Sequence, residues 1–244
     1  MSEGGAQHRL CMDVLRRLHE LGVLEQVVLV GSWCTYFYRR GEILQGNLGT
    51  LRTDDIDFLV PRPLRTVVHV NIPEMLKGMD FIVRRGRNGC MHLEHADMKM
   101  EFLIPDRGRG SDAPHYIEAL GVTAQPLRFL DFLLQETAVL DAGQFRIRLP
   151  APTRFGLHKL IVSGRRTNPA KAAKDREQGC DVLRALVAQG QGRVIKETFD
   201  ALPPKWKAGI SKSLRKMDAE DLEALLAGGS PEMRAGKTEK KPGS

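Results

Sequence analysis

The stretch that decides the fold is VVLVGSWCTYFYRR at residues 27–40, followed by TDDIDFLV at residues 53–60. The first run is rich in β-branched apolar residues and predicts a buried strand from Val27 to Val30. Gly31-Ser32 ends this strand and opens a helix with an aromatic apolar face. The second run predicts another core strand, but it carries charged side chains. Charges inside a core strand are costly unless they are paired or bind a metal ion.

Two carboxylates share one face of the second strand. Residues two apart in a strand face the same side, so Asp55 and Asp57 project together. Such a pair disfavours full ionisation unless a cation lies between them, and hard oxygen ligands prefer Mg²⁺ or Mn²⁺. Two-metal transfer chemistry often uses a third carboxylate, and Glu101 interrupts another predicted core strand. The structural alternative is that Asp54-Asp55 lies in a turn and that Asp57 pairs with an arginine, Arg52 or Arg62.

The Gly31-Ser32 turn is a candidate phosphate-binding element. Glycine allows a phosphate to approach the backbone, and free amides at a helix start bind anions together with a serine hydroxyl. The alternative is a serine that only caps the helix. The turn is not a Walker A motif, because no Gly-Lys-Ser/Thr follows it.

The order of predicted elements indicates an α/β (α+β) half followed by a helical half. Residues 8–22 predict a helix, and three strand-like runs at 81–85, 90–95 and 98–104 predict two hairpins. Residues 127–140 predict a helix and residues 145–149 a strand. After Pro150 and Pro152, five helices are predicted, at 153–164, 169–189, 192–201, 204–216 and 218–227. We therefore predict an α/β domain over 1–150, a helical domain over 151–228 and a disordered tail over 229–244.

Composition favours a polyanionic partner. The 244 residues include 37 Lys plus Arg against 30 Asp plus Glu, a net charge of +7, which is typical of proteins that bind nucleic acid but also of proteins that are merely soluble. No apolar run is long enough to span a bilayer, and the N-terminus has no apolar signal segment. The four cysteines show no zinc-site spacing and predict reduced thiols of a cytoplasmic protein.

These motifs resemble those of the DNA polymerase β-like nucleotidyltransferase superfamily. Its signature is an apolar strand, Gly-Gly or Gly-Ser, a helix, Asp-x-Asp or Asp-x-Glu, and a later acidic residue on a strand. The matching residues here are Gly31-Ser32, Asp55-Ile-Asp57 and Glu101. The resemblance covers roughly residues 27–104 and implies a mixed sheet with flanking helices.

The helical half is similar to that of AbiEii and MenT-type toxin nucleotidyltransferases. The resemblance implies that Lys159, in GLHKLIVSGRR, contacts the triphosphate, and that Asp175 is an acidic partner near the site. It also suggests Lys174 or Arg176 as a phosphate or RNA contact. Arg107 and Arg109 are further candidates for phosphate contacts, or ordinary loop residues. A solvated helix face is the alternative for the basic run from Arg165 to Arg176.

The resemblance implies an enzyme that transfers a nucleoside monophosphate (NMP) from a nucleoside triphosphate (NTP) to an acceptor hydroxyl and releases pyrophosphate. Asp55 and Asp57 would hold the metals, and Glu101 would help to activate the acceptor. The basic charge favours an RNA acceptor such as a tRNA 3′ end, in a toxin-antitoxin or phage-defence role with a cognate partner protein. The alternatives are a protein hydroxyl acceptor, a small-molecule acceptor such as an aminoglycoside, which the basic charge disfavours, and a non-catalytic RNA- or partner-binding module. A long loop, from Gly41 to Thr53, lies inside the motif and either gates or disables the site.

Overall fold

The computed structural model describes residues 3–46, 48–49, 53–64, 68–86, 89–106 and 113–228. The predicted tail at 229–244, Arg107 and Arg109, and Arg52 all lie outside the described residues. The loop from Gly41 to Thr53 is described in part. Leu44 and Leu48 of this loop are buried in the main core, so its described part packs against the body of the protein.

The chain forms nine strands and nine α-helices within the described residues. The strands are β1 Val28–Val30, β2 Asp55–Leu59, β3 Ile82–Arg85, β4 Met91–His95, β5 Met98–Pro105, β6 His115–Ile117, β7 Val122–Leu127, β8 Thr137–Asp141 and β9 Arg146–Pro150. The helices are α1 Glu3–Glu20, α2 Trp33–Arg40, α3 Ile72–Leu76, α4 Leu130–Leu134, α5 Pro152–Ser163, α6 Pro169–Ala188, α7 Gly192–Asp200, α8 Pro204–Arg215 and α9 Glu220–Leu226.

A mixed sheet forms the centre of the α/β half. Its strands follow the order β1-β2-β5-β4-β3, in which β2 and β5 are parallel and the other neighbours are antiparallel. β7 runs parallel to the C-terminal end of β5 and pairs with β6, while β8 and β9 form a separate hairpin. The antiparallel pairs β3-β4 and β4-β5 confirm both predicted hairpins. The mixed sheet and the helices after Pro150 confirm the predicted fold class.

The prediction of one helix over residues 127–140 is wrong. Leu127 ends β7, only residues 130–134 are helical, and residues 137–141 form the strand β8. The β-branched residues Thr137 and Val139 favour a strand, and β9 provides the pairing partner. The run LRFLDFLLQETAVL is rich in apolar residues spaced for either state, so its periodicity alone did not distinguish a helix from a strand. Strands β6 and β7 were not predicted, because Pro126 within β7 argues against a strand.

The five predicted C-terminal helices are confirmed to within two residues at each end. One hydrophobic cluster includes residues of both halves, such as Phe58 of β2 and Leu160 of α5. The division into domains at residue 150 stays a prediction. Within the described residues, no helix is both long and apolar enough to cross a membrane.

Helices α5 and α6 pack closely because two glycines face each other. A Cβ atom added to Gly179 would lie 2.9 Å from the carbonyl oxygen of Gly156 and 3.1 Å from Cγ of Leu160. We expect Gly179→Ala to lower the free energy of unfolding by about 1–3 kcal/mol through overpacking. Gly209→Ala in α8 is the control, since no atom lies within 4 Å of its added Cβ, and it should stabilise by about 0.5–1 kcal/mol. Urea denaturation of both variants measures this difference, and equal effects would contradict the close packing.

Candidate functional site

The predicted carboxylates lie on one face of two adjacent parallel strands. In β2, Ile56 and Phe58 are buried in the core, whereas Asp55 and Asp57 face the other side. The register pairs Asp57 with Glu101 of β5, so these two side chains leave the sheet on the same face, with strands about 4.8 Å apart. The structure therefore brings the three predicted acidic residues together on one surface.

Gly31 lies directly against Asp57. The residue before it, Val30, is paired with Asp57 in the β1-β2 ladder. A Cβ atom at Gly31 would lie 2.5 Å from Oδ2 of Asp57, and the backbone has a φ of +78°. Both the contact and the left-handed conformation require glycine at this position. Ser32 is buried and precedes α2, but in the described part of the chain its side chain makes no capping hydrogen bond.

The electrostatics of this face favour a bound cation. Burial raises the pKa of Asp57 to about 7, and the neighbouring carboxylates of Glu101 and Asp55 add to the effect. Lys159 and Lys99 act in the opposite direction. A cation beside Asp57 would therefore stabilise its ionised form at neutral pH.

Asp55 and Asp57 fit a divalent metal ion that takes its other ligands from substrate phosphates and water. Glu101 forms an ion pair with Lys99 on its own strand. Among the described residues, no three His, Cys, Asp or Glu side chains are grouped so that they could hold a metal ion by themselves. The role of Glu101 as a third ligand stays a prediction.

A buried ion-pair network joins α5 to α6. Nζ of Lys159 donates to Oδ1 of Asp175 at 2.7 Å, and Nε of Arg166 donates to Oδ2 of the same carboxylate at 2.7 Å. Lys159 is 7% exposed and Asp175 is 4% exposed. Burial acts to raise the pKa of Asp175, but Lys159 and Arg166 outweigh it and the pKa is lowered. The network holds the buried ammonium of Lys159 at a fixed position, whereas the Arg166 side chain reaches the same carboxylate from the surface.

Lys174 lies on α6, next in sequence to this network. Burial, followed by the charge of Lys159, lowers the pKa of Lys174, while Asp175 and Asp55 act to raise it. Its ammonium group is therefore within electrostatic reach of the β2 carboxylates. This placement is compatible with the predicted phosphate or RNA contact, which stays a prediction.

A cavity of about 310 Å³ separates the carboxylate face of the sheet from α5. Three of the predicted site residues, Gly31, Asp57 and Lys159, lie in its wall. The other lining residues are Val30, Leu103, Asp106, Pro126, Leu127, Arg128, Phe129, Leu130, Leu133, Phe155, His158, Val162, Arg165 and Arg166. None of the described residues of the Gly41–Thr53 loop is among them. We name this cavity the sheet–α5 pocket.

Sequence reasoning missed several lining residues of this pocket. Phe155, His158, Lys159 and Val162 follow the three- and four-residue spacing of one helix face, so the position of Lys159 could have indicated its neighbours. Phe129 could not have been found in this way, because the segment that contains it was predicted as part of a longer helix.

His158 makes the stability of the protein depend on pH. Burial, and then the neighbouring Lys159 and Arg166, lower the pKa of His158 to about 3 despite the opposing charge of Asp175. In the unfolded chain this histidine takes up a proton near pH 6.5, whereas in the folded chain it stays neutral. Its contribution to stability is therefore present above pH 6.5 and is lost as the pH falls toward 3. Between pH 6.5 and pH 3, protonation of His158 in the unfolded chain lowers the free energy of unfolding by up to about 1.4 kcal/mol for each unit by which the pH falls.

We expect His158→Gln to reduce this dependence. Urea denaturation between pH 6.5 and 5 should show a shallower slope for the variant than for the wild type. Comparing the two proteins at each pH cancels the contributions of the other titrating groups. Identical slopes would contradict this explanation, because they would show that His158 takes up protons equally in the folded and unfolded states.

Comparisons with known proteins identify the family to which the chain belongs. A nucleotidyltransferase-like antigenic protein from Paracoccidioides brasiliensis aligns over 90% of this chain and 93% of its own, with 13% identity and a TM-score of 0.45. The antibiotic-resistance factor ANT(2'')-Ia aligns over 91% of this chain and 90% of its own, with 12% identity and a TM-score of 0.35. No curated protein matches the chain. Residues 9–201 match a family model described as Nucleotidyltransferase. The chain therefore belongs to this nucleotidyltransferase family and is an enzyme that transfers nucleoside monophosphates.

Proposed function

We propose that the protein is a metal-dependent enzyme that transfers NMP from an NTP to a hydroxyl group of RNA and releases pyrophosphate. The observation that carries this proposal is the composition of the sheet–α5 pocket. Its wall combines Asp57, a glycine whose lack of a side chain lets that carboxylate lie against the backbone, and the buried cation of Lys159. These groups suit a ligand that presents phosphates and a divalent cation together.

Asp55 and Asp57 would hold Mg²⁺ or Mn²⁺ at the edge of this pocket. A bound divalent ion supplies charge neutralisation for the phosphates and orients the acceptor oxygen. In the reaction, the acceptor oxygen forms a bond to the α-phosphorus while the bond from the α-phosphorus to the bridging oxygen breaks. Pyrophosphate leaves, and the proton of the acceptor hydroxyl passes to a carboxylate, for which we propose Glu101.

The phosphates would be held from two sides. On the sheet side, Gly31 presents bare backbone next to Asp57, and Ser32 and the first amides of α2 offer hydrogen-bond donors. On the helix side, Lys159 provides a cation whose position is fixed by Asp175. Lys174 adds positive charge nearby. Asp175 thus acts by positioning Lys159, without itself contacting the substrate.

The excess of basic residues supports an RNA acceptor. The net charge is +7, and two exposed arginines, Arg128 and Arg166, lie in the pocket wall where they would attract a phosphate backbone. We propose the 3′ end of tRNA as the acceptor in the cytoplasm, in a toxin-antitoxin or phage-defence role with a cognate antitoxin.

The acceptor can be identified by label transfer. The full-length protein is incubated with Mg²⁺ and each α-labelled NTP, together with total tRNA or a cell protein extract. We expect label at the tRNA 3′ end, and we expect periodate-oxidised tRNA, which lacks the terminal vicinal hydroxyls, to accept none. Label in protein would overturn the RNA acceptor but not the nucleotidyl transfer.

A further inference from the structure

The sheet–α5 pocket has two chemically different ends. Near Asp57 and Lys159 the wall is charged, whereas past the C-terminus of α5 it includes Arg165 and the aromatic ring of Phe129. Lys159 lies within α5, and Arg165 follows the cap residue Gly164 of this helix. The pocket wall therefore combines a charged part at Asp57 and Lys159 with a part that carries an aromatic ring, which we name the Phe129 end.

At the Phe129 end of the pocket, a guanidinium group lies over an aromatic ring. The guanidinium carbon of Arg165 lies 4.7 Å from the centroid of the Phe129 ring. Trp206 of α8 contacts the same ring edge-on, with centroids 4.9 Å apart and planes at 81°. Leu127 and Leu130 lie next to Phe129 in sequence and also line the pocket with apolar side chains.

The backbone holds Phe129 in an unusual conformation. Its φ of 71° and ψ of 0° lie in the left-handed region, which bulky residues rarely adopt. Such conformations persist only where the surrounding structure enforces them, and they concentrate at functional sites. Here the conformation places the ring in the pocket wall, with Trp206 supporting its edge.

We propose that the base of the NTP packs against the Arg165–Phe129 pair, with its triphosphate directed toward Lys159 and Asp57. This proposal rests on the proposed function. A planar guanidinium supported by a ring offers a stacking surface for any nucleobase, since every base has a π-face. The ligand that matches the whole pocket carries anionic groups at one end and a flat aromatic ring at the other, which describes an NTP.

The protein contains a matched pair outside the pocket. The guanidinium carbon of Arg154 lies 4.9 Å from the centroid of Phe132, and Trp206 contacts this ring as well, at 6.0 Å. Neither Arg154 nor Phe132 is among the residues that line the pocket. Arg154→Ala therefore removes the same kind of contact without altering the proposed base site.

Binding of two ligands to the full-length protein tests the proposal. In the presence of Mg²⁺, dissociation constants are measured by calorimetry for ATP, which carries a base, and for inorganic tripolyphosphate, which has none. We expect Arg165→Ala and Phe129→Leu to raise the Kd of ATP about tenfold or more. The Kd of tripolyphosphate should change by less than about twofold, and Arg154→Ala should change neither constant. Arg165 is exposed, so its variant tests the site even if Phe129→Leu does not fold.

Two results would overturn the base site. Unchanged ATP binding by Arg165→Ala would show that the base does not pack there, and a separate measurement of weaker tRNA binding by this variant would then assign this end of the pocket to the acceptor. Equal weakening of ATP and tripolyphosphate binding would make Arg165 a phosphate contact instead. In each case the wild-type protein would still transfer NMP. A wild-type protein that binds ATP but transfers no label would instead contradict the proposed function and leave the base site standing.

Discussion

Asp57→Asn should lower the rate of nucleotidyl transfer by about a thousandfold or more. The substitution removes one of two carboxylates that would hold the divalent ion, and metal ions contribute several kcal/mol of charge stabilisation in such reactions. The protein should remain folded. The neutral amide replaces a partly buried acid that lies beside Asp55 and Glu101, so the unfolding temperature should stay the same or rise. Single-turnover label transfer and thermal unfolding measure the two effects.

Asp54→Asn is the matched control for this variant. Asp54 directly precedes the carboxylate pair, but it is exposed and its carboxylate accepts a hydrogen bond from Gln7 at 3.3 Å. Its substitution removes one negative charge from the same segment and should leave the rate within about twofold, because surface charges are screened by salt. If both variants lost activity equally, the effect would be due to general charge and not to the site.

Asp175→Ala should cause the largest loss of stability of any single substitution proposed for this chain. The carboxylate accepts hydrogen bonds from Lys159 and Arg166, and its removal leaves the buried ammonium of Lys159 without its partner. Breaking a buried ion pair from one side typically costs about 3–5 kcal/mol. Urea denaturation at pH 7 measures the loss, and activity should fall with it because Lys159 is no longer positioned.

Two further variants separate the buried network from ion pairs in general. Arg184 and Asp221 form a similar pair, with contacts of 2.7 and 2.9 Å, but both side chains are about half exposed. Asp221→Ala should therefore cost about 1 kcal/mol or less. The double variant Lys159→Met/Asp175→Leu should recover much of the lost stability, because it removes the unpaired charge, but not the activity. A double variant as unstable as Asp175→Ala would contradict this explanation.

The sequence predicted the part of the site that depends on strand geometry. Alternation along β2 placed Asp55 and Asp57 on one face, and the acidic interruption of β5 indicated Glu101 as their neighbour. The Gly31 turn was also predicted, but not its closeness to Asp57, which depends on the antiparallel register of β1 and β2.

The helical side of the site was harder to predict. The resemblance suggested Lys159 and Asp175, but not that Arg166 shares the same carboxylate. Local periodicity gives the faces of a helix, but it does not say which face meets the sheet. The Phe129 site was missed for a related reason. An apolar run can form a helix or a strand, and here long-range pairing with β9 determines where the helix ends.

The most direct test of nucleotidyl transfer compares two positions of the label. The wild-type protein is incubated with Mg²⁺, total tRNA and NTP labelled at either the α- or the γ-phosphate. We predict that α-label enters RNA, that γ-label is released as pyrophosphate, and that Asp57→Asn and chelation of the metal abolish both. Transfer of γ-label to the acceptor, or α-label transfer that survives Asp57→Asn, would contradict nucleotidyl transfer by the β2 carboxylates.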